Sequence, residues 1–284
     1  MILITGATGQ LGRAVVEDLL LRVPADQVAV SVRDTGKAGD LAARGVDVRS
    51  GDFDKPEGLE NAFAGADQVL IVSADKLGDE AVRLHRAAIS AARKAGAHRL
   101  LYTSHMGARV GSSFLPADQH ALTERDLATG GAAYTSLRHG FYAESCLHMI
   151  GHDLKNGELR TPQDGPVSWT ARADLAAADA AILASDGEWN DITPPLTASK
   201  AITMAELAVI ASEVYGREIP HAFISDEEWL NLKIAAGVPA FYAQMLLGTF
   251  KAARNGDFAA TDPALATLLD RPPLTMRDVL EQQS

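Results

Sequence analysis

Residues 1–12 read Met-Ile-Leu-Ile-Thr-Gly-Ala-Thr-Gly-Gln-Leu-Gly, a short apolar run followed by three glycines at three-residue spacing. An amphipathic stretch over 11–23 continues from them. Glycine at a strand-to-helix turn permits a tight turn, the close approach of a pyrophosphate and the packing of helix on strand. The helix N-terminus then offers free N–H groups to phosphates. We therefore expect a dinucleotide-binding loop made of Gly6, Thr8, Gly9, Gln10, Leu11 and Gly12.

The first half of the chain alternates short apolar runs with longer amphipathic ones. Continuously apolar strands separated by helices are typical of a parallel sheet that is buried on both faces. Right-handed crossovers then favour an α/β fold, a Rossmann-like doubly wound parallel sheet. The predicted strands are 2–5, 28–32, 46–50, 68–73, 99–103 and 133–138, and the predicted helices are 11–23, 78–95 and 117–128.

The pattern changes after residue 140 to mostly helix with turn-rich pieces. We expect a dinucleotide-binding Rossmann domain over 1–140 and a smaller, mainly helical substrate region over 141–284. Residues 166–195 are expected to return and pack on the first domain.

Composition restricts the possible partners. The 284 residues carry 26 Lys and Arg against 37 Asp and Glu, a formal charge of −11, which argues against binding to a nucleic acid backbone. The single cysteine, Cys146, excludes an internal disulfide and favours a reducing compartment. No apolar run is long enough for a membrane span. We expect a cytoplasmic protein with a small-molecule substrate; the sequence leaves its oligomeric state open.

The end of the second predicted strand bears on the choice of coenzyme. An NAD site would carry an acidic residue there for the ribose hydroxyls, whereas Val32 is followed by Arg33. A guanidinium suits a 2′-phosphate, and Lys37 adds a second charge. These residues favour NADP, although Asp34 leaves NAD open. After the third strand, Asp52 and Phe53 are placed where an adenine would lie, or they are a surface acid and a buried ring.

Longer stretches of the chain resemble a known family. They resemble the NmrA-like branch of the atypical short-chain dehydrogenases, and within it the type 2 NADPH:quinone oxidoreductases, with triphenylmethane-dye and azo-dye reductases nearby. The matching stretches are 1–12, Arg33, Gly51-Asp52-Phe53, Tyr102-Thr103-Ser104-His105-Met106-Gly107-Ala108, Leu137-Arg138-His139-Gly140-Phe141-Tyr142 and 269–278.

The resemblance implies further cofactor contacts. It places Ser73 and Thr103 beside the cofactor and Arg172 near the cleft. It also places the segment 138–142 at the nicotinamide end, where family members usually carry Asn at the position of His139. The residues implied in that segment are His139, Gly140 and Phe141.

Most short-chain dehydrogenases move a proton with a Tyr and a Lys four residues later. None of the five tyrosines has a lysine at that position, and no lysine lies between Lys94 and Lys155. The quinone reductase-like members carry a His where this chain has His120. We nominate His120 and Tyr142 near the reacting centre, His120 as a general acid or as a structural histidine that opens its helix.

Two other histidine patterns are less informative. His148 and His152 have the i, i+4 spacing of a metal pair but no matching acid, so we expect no metal. Ser104 and His105 are neighbours on a strand and should point to opposite faces, which excludes a Ser–His relay.

The combined evidence predicts an NADPH-dependent oxidoreductase that transfers hydride to a quinone-like or other conjugated small molecule. A quinone needs little acid catalysis from the protein, which is compatible with the missing Tyr–Lys pair. The alternative is a non-catalytic, NADP-sensing regulator that acts through protein partners, since a fold does not fix a function.

Overall fold

A seven-stranded parallel sheet forms the centre of the computed structural model, which describes residues 1–185 and 189–282, except for the side chain of His152. The strand order is β3-β2-β1-β4-β5-β6-β8, and a separate two-stranded sheet pairs β7 with β9. The strands are β1 (Ile2–Thr5), β2 (Val28–Val32), β3 (Asp47–Ser50), β4 (Gln68–Ile71), β5 (Arg99–His105), β6 (Ala133–His139), β7 (Leu159–Thr161), β8 (Asp191–Ile192) and β9 (His221–Phe223).

Helices cover both faces of the large sheet, as the apolar strands predict. On one face, α1 and α7 pack together over β1 and β2, and α3, α4 and α5 cover the other face. The helices are α1 (Gln10–Leu19), α2 (Gly39–Ala43), α3 (Leu59–Phe63), α4 (Gly78–Lys94), α5 (Leu115–Ala128), α6 (Ala143–Asn156), α7 (Arg172–Ala184), α8 (Met204–Tyr215), α9 (Asp226–Ala235), α10 (Ala240–Arg254), α11 (Ala264–Leu269) and α12 (Met276–Glu281). The predicted α/β class, a Rossmann-like doubly wound sheet, is confirmed.

The strand order reverses between β1 and β4, which lie side by side at the centre of the sheet. In open α/β sheets, ligands bind at the carboxyl ends of the strands next to such a reversal. This places the expected site at the edge formed by the loops after β1, β4, β5 and β6.

The C-terminal half of the chain has its own apolar core and also returns to the sheet. That core is formed mainly by α6, α8, α9, α10 and α12, together with Met106 and Phe114 from the segment after β5. Within the range 166–195, α7 packs on α1, and β8 pairs in parallel with β6. The division at residue 140 stays a prediction.

The first helix ends earlier than its amphipathic pattern predicts. Its last residue is Leu19 rather than Val23, and Leu21 is 84% exposed. Pro24 follows shortly afterwards, and the residue before a proline disfavours helical backbone. The prediction of a helix through Val23 is therefore wrong at its C-terminal end.

Candidate functional site

The glycine loop after β1 leaves the start of α1 open. Gly6 has a φ of +65°, and its carbonyl accepts the Gly9 N–H at 2.9 Å, which closes the turn. Gly9 is the N-cap of α1 and has no side chain to satisfy the first helical N–H groups. Free N–H groups and the positive end of the helix dipole attract an anion. The loop therefore fits a pyrophosphate, with Thr8, Gln10 and Leu11 on the same turn.

Gly12 lets the helix approach this loop closely. A Cβ at Gly12 would lie 2.5 Å from the carbonyl oxygen of Gly6 and 2.8 Å from its carbonyl carbon. These atoms belong to the backbone, so the loop itself would have to move. Gly9 is less constrained, because its Cβ would lie 3.3 Å from the same oxygen. Gly12 is thus required by packing, whereas Gly9 keeps a side chain away from the mouth of the loop.

Positive charge is available at the end of β2. Arg33 and Lys37 are exposed, and neither forms an ion pair within the described part of the chain. The carboxylate of Asp34 instead accepts the N–H of Gly36 at 3.0 Å. Both side chains are therefore accessible to an anion such as a 2′-phosphate.

The loop after β3 contains the predicted adenine contacts. Asp52 accepts the N–H of Asp54 at 3.1 Å and so organises a turn. Phe53 is partly buried against the core on the α3–α4 face. The polar turn and the partly open ring lie at the carboxyl end of β3, next to that of β2.

Buried side chains fix the loop after β4. The Ser73 N–H donates to Thr103 Oγ1 at 2.8 Å, and the Ala74 N–H donates to His85 Nε2 at 2.9 Å. Thr103 is 1% exposed and its hydroxyl is engaged by this bond. The Thr103 hydroxyl therefore supports the backbone at Ser73. The direct cofactor contact that the resemblance implies for Thr103 stays a prediction.

The Arg138 guanidinium is held by a buried acid. Glu124 on α5 accepts from Ser104 Oγ at 2.7 Å, from Ser136 Oγ at 2.9 Å and from Arg138 at 2.7 and 3.0 Å. The expected opposite orientation of Ser104 and His105 is observed, because Ser104 faces Glu124 while His105 contacts aromatic rings. This network ties β5 and β6 to α5.

His139 is buried against an acidic side chain, a contact that the sequence does not predict. Its Nε2 lies 2.8 Å from Asp179 Oδ1 on α7, and both side chains are fully buried. Its Nδ1 lies 3.3 Å from the hydroxyl of Tyr142. The His139 side chain is therefore fixed between the sheet and α7, and its carbonyl accepts the Met106 N–H at 2.7 Å. The cofactor contact of His139 that the resemblance implies stays a prediction.

The segment after β6 turns tightly past residues from two other parts of the chain. The Gly140 N–H donates to the Leu196 carbonyl at 2.7 Å, and a Cβ at Gly140 would lie 2.2 Å from Thr170 Oγ1. Arg172 begins α7, and its guanidinium lies 5.1 Å above the ring of Tyr142. Phe141 turns instead into the aromatic cluster described below.

His120 lies deeper than the sequence predicts. The helix α5 begins at Leu115, so His120 is in its second turn and is 8% exposed, rather than opening the helix. Its Nδ1 lies 2.8 Å from the hydroxyl of buried Tyr102. Burial, together with the neighbouring histidines, lowers the pKa of His120, so the ring is neutral near pH 7.

The sequence did not identify His105 as a candidate. It is the last residue of β5, and its ring stacks on that of His120 at a centroid separation of 6.0 Å. It also contacts Phe114, Phe141 and Phe258, and its Nδ1 accepts the Gly107 N–H at 3.0 Å. Its place at the carboxyl end of a central strand is the signal that could have pointed to it.

The buried histidines predict a pH-dependent stability. Burial lowers the pKa of His85 to about 4, so between about 6.5 and 4 the unfolded chain binds a proton that the folded chain does not. The free energy of unfolding therefore falls with decreasing pH, by about 2 kcal/mol for His85 at pH 5. Urea unfolding at pH 7 and pH 5 measures this. Between pH 7 and pH 5, the free energy of unfolding should fall less in His85→Gln than in the wild type. In the control His98→Gln, on an exposed site, it should fall as much as in the wild type. Equal losses in His85→Gln and wild type would contradict the assignment.

No group of metal-binding side chains occurs among the residues that the structure describes. The side chain of His152, one of the two histidines considered above, lies outside them. Within the same residues, no helix is long and apolar enough to cross a membrane.

Comparison with known proteins gives consistent results along the whole chain. A model of the NmrA-like family matches residues 1–276. Quinone oxidoreductase 2 of Escherichia coli is 34% identical over 98% of this chain and 96% of its own length, and an NAD(P)H azoreductase of Xenophilus azovorans is 30% identical over 96% and 92%.

Solved structures agree with these sequence matches. The E. coli NADPH-dependent quinone oxidoreductase in complex with NADPH aligns with a TM-score of 0.94 and 33% identity, over 100% of this chain and 99% of the other. The triphenylmethane reductase of Citrobacter sp. in complex with NADP(H) aligns with a TM-score of 0.93 and 33% identity, over 100% of both chains.

Proposed function

The chain belongs to the NmrA-like family, and we propose that it is an NADPH-dependent oxidoreductase that transfers hydride to a quinone-like or other conjugated small molecule. The observation that carries this proposal is the open start of α1 after β1, together with two exposed cations after the neighbouring strand β2, Arg33 and Lys37, that form no ion pair with any described residue. Relatives that are named as quinone, azo and triphenylmethane reductases over nearly the full length support the reaction class.

The residues of the site fit NADPH at three points. The loop from Gly6 to Gly12 would hold the pyrophosphate, and Arg33 with Lys37 would hold the 2′-phosphate. The backbone at 139–141 and the guanidinium of Arg172 would lie towards the nicotinamide end. When bound, NADPH supplies a hydride; the protein orients the two rings and excludes competing reactions.

Neither of the two nominated residues, His120 and Tyr142, is a strong acid, which fits an acceptor that needs little protonation. His120 is neutral near pH 7, and burial raises the pKa of Tyr142, whose hydroxyl is paired with His139. A quinone accepts hydride to give a stabilised hydroquinone anion, which takes its proton from water. An unactivated ketone would give an alkoxide and would require a nearby proton donor.

Steady-state oxidation of NADPH with a benzoquinone tests the proposal. We expect saturable turnover that depends on the enzyme and on both substrates. Tight binding of NADPH without turnover on quinones, azo dyes or enones would instead support the non-catalytic, NADP-sensing regulator.

We place this enzyme in the cytoplasm, because its single cysteine suits a reducing compartment. Its net charge of −11 supports a small-molecule partner over a nucleic acid.

His120 should contribute little as an acid. We expect His120→Ala to lower kcat for a benzoquinone by less than about tenfold, below the usual contribution of general acid catalysis. The variant should melt at a lower temperature, because the buried Tyr102 hydroxyl loses the shorter of its two hydrogen bonds to histidine. His98→Ala, on an exposed site, is the matched control. A thousandfold loss of kcat with intact NADPH binding would show that His120 is an essential acid.

A further inference from the structure

Two buried N–H donors have no hydrogen-bond partner among the described residues near the carboxyl ends of β5 and β6. They are His105 Nε2 and Trp169 Nε1. A buried donor without a partner costs free energy, so such groups require an explanation. Both rings contact the same side chain, Phe141, at centroid separations of 5.1 and 5.0 Å. The two donors therefore belong to one aromatic cluster.

The local geometry fixes the protonation of the His105 ring. Nδ1 accepts the N–H of Gly107 at 3.0 Å, so the proton of the neutral ring is on Nε2. Burial lowers the pKa of His105 to about 3, which keeps the ring neutral at physiological pH. His105 Nε2 is thus a permanent donor, as is the indole N–H of Trp169.

The surroundings of these donors are aromatic. Phe114, Phe141 and Phe258 contact one another at centroid separations of 5.2 to 5.6 Å, and all three contact His105. His105 also ends a central strand whose neighbour leads to Ser73, at the cofactor side of the sheet. A planar ring that enters this cluster would therefore lie close to the carboxyl edge of the sheet.

We propose that His105 is a catalytic residue that donates its Nε2–H to a carbonyl oxygen of the substrate, and that Trp169 donates to a second carbonyl oxygen on the same ring. This rests on the proposed function and narrows its substrate class to cyclic dicarbonyls, the quinones. A hydride from NADPH adds to the quinone, which becomes the hydroquinone monoanion, while NADPH becomes NADP⁺. The negative charge develops on an oxygen that accepts from His105. His105 keeps its proton, and the anion is protonated by water.

The proposal predicts that loss of a donor affects the reduction of a quinone more than the reduction of an acceptor without oxygen atoms. A quinone has oxygens for both donors, whereas a triarylmethane dye cation without oxygens has none. Removing a donor to a developing oxyanion lowers kcat by about 100- to 1,000-fold. We therefore expect His105→Leu to lose about 100-fold or more in kcat with duroquinone and less than about tenfold with the dye, with an unchanged Kd for NADPH.

Trp169→Phe is the milder test, because it keeps a ring and removes only the N–H. We expect about tenfold weaker binding of duroquinone to the enzyme–NADP⁺ complex by titration calorimetry, where no hydride is available. The melting temperature should be unchanged or higher, since an unpartnered buried donor is removed. A purely structural Trp169 would lower the melting temperature and leave quinone binding intact.

The outcomes distinguish this proposal from the proposed function. An active wild type with His105→Leu within threefold of it on duroquinone would overturn the role of His105. If the wild type failed to oxidise NADPH with every acceptor tested, the proposed function would be contradicted. In that case the calorimetry still decides the site: weaker duroquinone binding by both variants supports it, and no binding by the wild type overturns it.

Discussion

Gly9→Val is expected to abolish NADPH binding while the protein stays folded. The Cβ at this position would lie 3.3 Å from the Gly6 carbonyl oxygen, a contact that a shift of a few tenths of an ångström relieves. The branched side chain would, however, project at the start of α1, where the phosphates need close access to the backbone. Thermal melting with and without NADPH measures both effects. We expect a nearly unchanged melting temperature without cofactor and no increase with it.

Gly12→Ala provides the contrast. Its Cβ would lie 2.5 Å from backbone, so the loop or the helix must move, and we expect a lower melting temperature even without cofactor. If Gly9→Val still gained the full thermal stabilisation from NADPH, the phosphate site would have to be elsewhere.

Arg33→Ala should change the choice of coenzyme. Loss of a charge-assisted contact to the 2′-phosphate is expected to weaken NADPH binding by about 1.5–3 kcal/mol, about 10- to 150-fold. Binding of NADH, which lacks that phosphate, should hardly change. Titration calorimetry with both coenzymes measures the difference. Arg22→Ala, on another exposed site, should leave both affinities unchanged. Equal losses of NADPH and NADH affinity in Arg33→Ala would show that Arg33 does not recognise the 2′-phosphate.

Sequence reasoning succeeded where the determining interactions are local. The glycine spacing and the apolar strands fix the turn after β1 and the parallel sheet, because both depend on neighbouring residues. The end of α1 was predicted too late, since an amphipathic pattern does not show where a helix leaves its partner. Leu21, one of the residues between the observed end at Leu19 and the predicted end at Val23, lies in solvent.

The candidate site was harder to predict because its side chains pair across long stretches of chain. Asp179 lies 40 residues after its partner His139, and no local pattern joins them. His120 was expected at the opening of a helix, yet the fold buries it against Tyr102. The sequence shows His105 only as the strand neighbour of Ser104. Its significance depends on three phenylalanines that the tertiary structure brings to it.

Hydride transfer within the bound complex is tested most directly by a single turnover. The enzyme–NADPH complex is mixed with duroquinone in a stopped-flow instrument, and the absorbance of the dihydronicotinamide is followed. We predict a rapid decay whose rate saturates with quinone, is at least as fast as kcat, and decreases when the transferred hydrogen is deuterium. A bound NADPH whose absorbance decays no faster than that of free NADPH with the same quinone would contradict an enzymatic function.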